Sequence, residues 1–486
     1  MEEKSPSERL YLFLYNYLKN GIINNQLPES GELPSTRSLA TQLGISRSTV
    51  IRAYELLKLE GYLVSRGGSG YRVRSIQEEN FEGSPSFIGN QAYPEMSKVG
   101  QSFLKNINLI NRTSDKGIAF RPGLPPLDIF PVNQWKSLTN LYWRHIKSSA
   151  LSYSPSSGIL PLKKSIATYL NITRNIQCDY RQIMIVSGSL QSLYLIGSVL
   201  IDEGDEVILE NPTFPNVHSI FRSLRAHIQA VGIGSDGIKL EEFRRNESRK
   251  LKVIHTTPSH HYPTGVRMSL KRRYELLSWA NSHSAFIIEN DYEHEISNWK
   301  NPIPSLFSLD KEGRVIYMGT FNRLLHPSVR LGYMVVPHYL MDAVEALQRH
   351  SHRFVPPSFQ IVMNQFIEKK YLYQHVRNVI EVAEERRLLF EETFNDCFQG
   401  KIFLAPRAAN SLYALARFRG KENDQQITEA LESANIVAHA YSKCFIGNRA
   451  ENGLILGYAS VRNPVIKSTL PRMLRLWSKH RGEIGI

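Results

Sequence analysis

At 486 residues, with 42% apolar and 10% aromatic residues, the chain exceeds one ordinary domain and can bury a large core with a smaller unit attached. The formal net charge of +14 suits a polyanionic partner, but residues 1–74 hold 10 Lys and Arg against 7 Asp and Glu, and the remainder 49 against 38. The excess is spread along the chain, so bulk charge does not say where such a partner would bind. Cys178, Cys397 and Cys444 lack metal-ligand spacing, the start Met-Glu-Glu-Lys-Ser-Pro has no apolar signal core, and the apolar stretch 183–201 is broken by polar residues and a glycine. These features argue against a metal centre, a secreted chain or a membrane span, and lead us to expect a cytoplasmic protein with reduced thiols.

Residues 7–24 carry Leu10, Leu14, Tyr17 (or Leu18) and Ile22 at helical spacing. After Pro34, Ser35 is placed to cap a short helix that Gly44 ends, and Ser46 caps a second helix with Val50, Ala53, Tyr54 and Leu57 on its inner face. Two short helices joined by a tight glycine turn make a helix-turn-helix. The segments 62–66 and 71–74, separated by Gly67-Gly68-Ser69-Gly70, predict a hairpin wing. In such a unit the first turn of the second helix meets base edges, which nominates Arg47, Ser48 and Thr49. Arg37 is placed for phosphate contact, and Arg66 with Gly68 for entry into a minor groove. A double-stranded DNA operator is the expected partner of residues 1–74.

Residues 75–115 are polar and rich in Ser, Asn, Glu and Pro, and are read as a linker with one short helix near residues 97–109. From 116 onward, strand candidates at 182–186, 206–210, 227–231, 252–256, 285–288, 315–318 and 332–336 alternate with helices such as 270–282. That alternation predicts an α/β unit around a mostly parallel sheet, running to residue 486, with a mixed α and β small lobe from about 370.

Ligands of open α/β sheets sit at the carboxyl ends of the strands, and four segments fall there. Ser187-Gly188-Ser189-Leu190-Gln191 opens a helix whose amides suit a phosphate. Thr257-Pro258-Ser259-His260-His261-Tyr262-Pro263-Thr264-Gly265 follows another strand, and Ile287-Ile288-Glu289-Asn290-Asp291-Tyr292-Glu293 ends a third. The fourth runs from Gly319 through Thr320, Phe321, Asn322 and Arg323 to Arg330 and Tyr333. Histidines 255, 260, 261 and 326 form no metal pattern and are read as polar residues with ordinary partners.

The helix-turn-helix string with its wing resembles the GntR winged helix, and the later segments, with Glu210-Asn211-Pro212-Thr213-Phe214, resemble fold-type I aminotransferases. Together they resemble MocR/GabR-type regulators, in which a GntR winged helix is fused to an aminotransferase-like domain that uses pyridoxal phosphate as a sensor. The resemblance implies a DNA-binding homodimer. It also implies a pyridoxal phosphate site: Ser189, Leu190, Thr320, Asn322 and Arg330 around the phosphate, Asn290 at the pyridine nitrogen, Tyr292 at the ring hydroxyl, and Arg323 where the Schiff-base lysine stands.

Three positions depart from the pattern. Arg323 replaces the lysine, and a protonated, delocalised guanidinium cannot attack an aldehyde. Asn290 replaces the aspartate that pairs with a pyridinium, and Asn322 replaces a serine. The expectation is a catalytically inactive domain with no metal, which binds the cofactor non-covalently if at all, or binds another small anion. Arg323 either lines an open cationic pocket or pairs with Asp291 or Glu289 and seals it. The competing readings are an aminotransferase with a DNA-binding appendage, which Arg323 and Asn290 oppose, and a ligand-free DNA-binding dimer scaffold. Lys300 and Lys311 are the nearest candidates for a displaced Schiff-base lysine.

Overall fold

In the computed structural model the described residues are all except 1–5, 25, 28–30, 67–69, 75–93, 110–116, 245–247, 298–302, 407–409, 421, 448–449 and 483–486. The chain divides into two compact units, Met1–Glu95 and Met96–Ile486. Gly68 and Lys300 lie outside the described residues.

The first unit is a winged helix-turn-helix. Helix Pro6–Ile23 packs on helix Arg47–Leu59, which in turn packs on helix Thr36–Leu43. Ser35 Oγ accepts the Ser38 amide at 3.1 Å, and Ser46 Oγ accepts the Thr49 amide at 3.2 Å, so both helices start where the capping residues stand. Gly44 ends the first of the pair in the left-handed region at φ 64°, where a Cβ would be strained. A three-stranded antiparallel sheet places Glu32–Leu33 and Leu63–Arg66 on either side of Gly70–Val73. The core is Leu14, Leu18, Ile22, Val50, Ala53, Tyr54, Leu57, Leu63 and Val73, with the Tyr54 hydroxyl donating to Pro34 O at 3.0 Å. The buried stripe of the first helix runs through Leu14, Leu18 and Ile22; Leu10 and Tyr17 are exposed instead, because the helix turns only one face to its partners.

The second unit is α/β. Its eight-stranded sheet has the order Ile183–Val186, Gly332–Val335, Val315–Thr320, Phe286–Asn290, Leu251–Thr256, Glu206–Asn211, His227–Gly234, Gly237–Ile238. Strands 315–320, 286–290, 251–256, 206–211 and 227–234 run parallel, and Gly332–Val335 runs antiparallel to both its neighbours. Ile183, Met184, Ile185 and Val186 are all fully buried, as expected of a strand covered on both faces. Helix Leu270–Ser282 occupies the span its sequence predicts, with Ser269 capping the Arg272 amide at 3.1 Å. Beyond it, helix Tyr371–Phe398 packs on a four-stranded antiparallel sheet of Ile402–Leu404, Ala414–Phe418, Gly453–Leu456 and His439–Ala440. Ile118–Ala119 pairs in parallel with Ile436–Val437.

Part of the stretch read as linker is built into this unit. Helix Lys98–Asn106 packs on helix Pro215–Ser223, and the Ser219 hydroxyl donates to Asn106 O at 3.1 Å. The α/β topology leaves one edge of the sheet with a row of loops, at Ser187, Asn211–Phe214, Thr257–Gly265, Asn290–Glu293 and Thr320–Arg323.

Candidate functional site

On the first unit, Arg47 and Ser48 are exposed at the start of the second helix of the pair, and Arg37 is exposed near the start of the first. Arg47 Nε donates to Thr36 Oγ1 at 3.4 Å, a contact a phosphate could replace. Thr49 requires correction as a DNA-contact residue. It is 6% exposed, and its hydroxyl lies 2.7 Å from Ser46 Oγ, so it serves the cap and the core rather than the surface. The reason is helical phase: position 49 shares the inward face with Val50 and Ala53. Arg66 pairs through its backbone with Gly70, at the base of the wing.

On the second unit, the turn Ser187–Gly188 leads from strand Ile183–Val186 into helix Ser189–Leu200. Gly188 has φ 143°, and a Cβ there would come to 3.0 Å from Asn322 Nδ2, so only glycine leaves the helix start open. The first amides of that helix, at Ser189 and Leu190, have no partner within the helix, which makes a ready anion site. The Leu190 side chain is exposed, so its contribution is the backbone N–H. Arg330, itself in the left-handed region at φ 50°, donates from Nη2 to Ser187 Oγ at 3.4 Å. Thr320 Oγ1 accepts the Asn322 amide at 3.2 Å. Ser187, Ser189, Thr320 and Arg330 thus lie around one helix N-terminus. Asn322 differs from the expectation that it lines the phosphate. Its Oδ1 accepts the Leu331 amide at 3.0 Å and its Nδ2 lies 3.5 Å from Ser187 O, so its carboxamide ties the two turns together.

At the other end of the site, Asn290 closes strand Phe286–Asn290, opposite Met318 in register, and is buried. Its Nδ2 lies 3.4 Å from His255 Nε2. Burial pushes His255 down to about 3, so the ring is neutral, and Asn290 Oδ1 has no hydrogen-bond partner. Tyr292 donates to the His260 carbonyl at 3.0 Å. Phe214 stacks on Tyr262 with centroids 3.7 Å apart and meets Tyr292 edge-on at 5.1 Å.

Arg323 follows strand Val315–Thr320 by three residues. Its guanidinium carbon lies 5.2 Å from the Tyr292 ring and 5.8 Å from the Phe214 ring, and Nη1 is 3.6 Å from Glu293 Oε1. Neither Asp291 nor Glu289 is its counter-ion. Arg174 reaches Asp291 Oδ2 at 2.8 Å, and Glu289 accepts the Leu306 and Phe307 amides at 2.9 and 2.8 Å. Both carboxylates are already engaged on the far side of the sheet edge, which leaves the next acidic residue, Glu293, to face Arg323. Sequence reasoning missed Arg174 and Gly123. Gly123 sits in the left-handed region at φ 78°, and a Cβ there would overlap the Arg323 guanidinium. The run Arg121-Pro122-Gly123-Leu124-Pro125-Pro126 was its only sequence signal.

His261 donates or accepts through Nδ1 with Thr264 Oγ1 at 2.7 Å, and His326 packs edge-on against Phe130 at 4.7 Å. Among the described residues no group of three or more His, Cys, Asp and Glu is placed to hold a metal ion. The donors around Ser187, Thr320 and Arg330 fit the phosphate of pyridoxal phosphate. The ring end does not fit that cofactor as a Schiff base: it offers a guanidinium and a neutral amide, where an amine and a carboxylate would be needed.

Comparison with known proteins agrees with this architecture. Residues 123–446 match the family model described as aminotransferase class I and II, and residues 10–73 match bacterial regulatory proteins, gntR family. The chain is 31% identical over 448 residues to the probable rhizopine catabolism regulatory protein MocR of Rhizobium meliloti, covering 92% of this chain and 90% of that one. It is 25% identical over 433 residues to the HTH-type pyridoxine biosynthesis transcriptional regulator PdxR of Corynebacterium glutamicum, covering 88% and 87%. The kynurenine aminotransferase of Pyrococcus horikoshii superposes with a TM-score of 0.68 at 24% identity over 79% of this chain and 95% of that one, a likeness of fold. The chain therefore belongs to the aminotransferase class I and II family and, through the GntR-type unit at its start, to the MocR-like HTH-type transcriptional regulators.

Proposed function

We propose that this protein is a DNA-binding regulator whose aminotransferase-like domain senses a small anion without covalent attachment and performs no transamination. The observation that carries this reading is the environment of Arg323: a guanidinium set against the Tyr292 and Phe214 rings and facing Glu293, at the position that resembles the Schiff-base lysine. Asn290 adds a second obstacle, since a neutral amide cannot stabilise a pyridinium by charge. The donors at Ser189, Leu190, Thr320 and Arg330 support retention of a phosphate-sized group, pyridoxal phosphate itself or another phosphorylated or carboxylated molecule.

Arg37, Arg47, Ser48 and the Arg66–Gly68 wing are the proposed DNA-facing positions. The exposed apolar residues Val132, Trp143, Leu151 and Tyr153 support a homodimer that covers them. No helix among the described residues is long and apolar enough to cross a membrane, and the proposed DNA partner places the protein in the cytoplasm.

Borohydride reduction of the full chain with pyridoxal phosphate, followed by mass spectrometry, tests the chemistry. No stoichiometric pyridoxyl group should appear on a pocket lysine, and finding one would sink the non-covalent reading. A second reading, a sealed scaffold that binds nothing, is favoured by the Phe214–Tyr262 stack and by the Arg323 guanidinium filling the space beside Gly123. Absence of a thermal shift with any small anion would select it.

A further inference from the structure

Arg323 and Glu293 face each other without satisfying each other. Arg323 Nη1 and Glu293 Oε1 are 3.6 Å apart, beyond hydrogen-bond distance, and both are buried atoms with no hydrogen-bond partner. The other Glu293 oxygen accepts the Ser411 hydroxyl at 3.2 Å. Asn290 Oδ1, 35 positions from its partner His255 in sequence but buried beside it, is likewise unpartnered. Buried polar atoms without hydrogen bonds destabilise a fold, so this grouping calls for something to complete it. Arg323 stands three residues beyond Thr320, which puts their Cα atoms within roughly 11 Å, a span one small molecule can bridge.

We propose that the pocket takes a small molecule bearing both a phosphate and a carboxylate, the phosphate at Ser187, Thr320 and Arg330 and the carboxylate on Arg323. The inference rests on the anion-binding reading above and deepens it: a guanidinium is a two-pronged carboxylate receptor where an amine would be an aldehyde trap. Asn290 Oδ1 adds a preference for a ligand that donates a hydrogen bond at that end.

A carboxylate arriving on Arg323 also meets Glu293, and two buried carboxylates with one guanidinium leave a net negative charge. Glu293 relieves it by taking up a proton. Burial already pushes the Glu293 carboxyl up, Arg323 holds it down, and a ligand carboxylate that claims Arg323 weakens that hold. The other groups facing Glu293 do not supply the proton. Burial holds the phenols of Tyr262, Tyr292 and Tyr413 well above their ordinary range, and pushes the neighbouring carboxyl of Glu295 up. His439, which faces Arg323 and Arg121, is pushed down to about 4 by burial and stays neutral. Binding therefore takes up a proton, and affinity weakens as pH rises.

The test is calorimetry on the full chain at pH 6, 7 and 8, in two buffers of different ionisation enthalpy. The probes are 4-pyridoxic acid 5′-phosphate and pyridoxine 5′-phosphate, which differ in having a carboxylate or a hydroxymethyl group. The carboxylate probe should bind about tenfold or more tightly at pH 6, with proton uptake, and lose much of that advantage by pH 8. Arg323→Gln should abolish the advantage of the carboxylate probe over the alcohol probe. Glu293→Gln should keep tight binding and abolish the pH dependence, a gain that mere structural damage would not produce. If both probes bind equally in the native chain, with no proton uptake and no effect of Glu293→Gln, the carboxylate subsite is wrong and the phosphate reading survives. If neither probe binds, both readings fall.

Discussion

Gly123 and Arg323 share one space: the guanidinium of Arg323 occupies the volume that a side chain at position 123 would need. Gly123 is also left-handed, at φ 78°. Gly123→Ala should therefore cost about 1–2 kcal/mol in backbone strain alone. It should also push Arg323 out of its place against the Tyr292 and Phe214 rings. A thermal melt of the variant that matches the native chain would show that Arg323 does not rest there.

The helix-turn-helix predictions separate contact from capping. Arg47→Ala should weaken binding to a specific operator by about 1–3 kcal/mol, and Arg37→Ala should weaken binding to all sequences and flatten the salt dependence. Thr49→Val should leave operator preference unchanged and instead lower stability by about 1 kcal/mol, because its hydroxyl is spent on Ser46. Anisotropy titrations at two salt concentrations read all three; an altered base preference in Thr49→Val would return that residue to the groove.

Among the anion donors, Arg330 should matter most. Arg330→Ala should reduce binding of inorganic phosphate or a phosphate monoester far more than His326→Ala, since His326 rests against Phe130 and offers no fork of donors. Saturation at a hundredfold excess over the dissociation constant should stabilise the fold by about 2.7 kcal/mol, visible as a thermal shift. Equal loss in the two variants would remove Arg330 from the site.

Acid should destabilise the fold through the buried histidines. Burial holds His255 and His261 at about 3 in the folded protein, well below the ordinary imidazole value. With a folded value below the unfolded one, the stability each contributes is present above roughly pH 6.5 and is lost as pH falls toward the folded value. Each group should cost about 1–2 kcal/mol between pH 7.5 and pH 5. Burial raises the Glu210 carboxyl, 3.7 Å from His261, to about 7, which favours the fold as pH falls and offsets part of this loss. The test is therefore the difference between two melting series: His255→Gln should lose less stability than the native chain between pH 7.5 and pH 5, and equal losses would mean that the His255 ring is not held neutral.

The periodicities and punctuation of the chain determined most of the architecture, because they are local. Ser35, Gly44 and Ser46 act through their own backbones, so the helix-turn-helix is legible in eighteen consecutive letters. Strand segments such as 183–186 and 315–318 announce themselves as apolar runs, since a strand inside a sheet covered by helices is buried on both faces. The chemistry of Arg323 and Asn290 was equally legible, because a guanidinium and an amide keep their character in any fold. Pairing was not. Four carboxylates lie within seven positions, at Glu289, Asp291, Glu293 and Glu295, and the sequence cannot say which one meets Arg323. Tertiary structure decided that by bringing Arg174, 117 positions upstream of Asp291, and the amides of Leu306 and Phe307 to two of them first. Thr49 shows the same limit at shorter range: its place in the helix was readable, but its burial depended on which face the first helix and the sheet cover. Side-chain direction and counter-ion choice are settled by packing between distant segments, and only the folded chain contains that information.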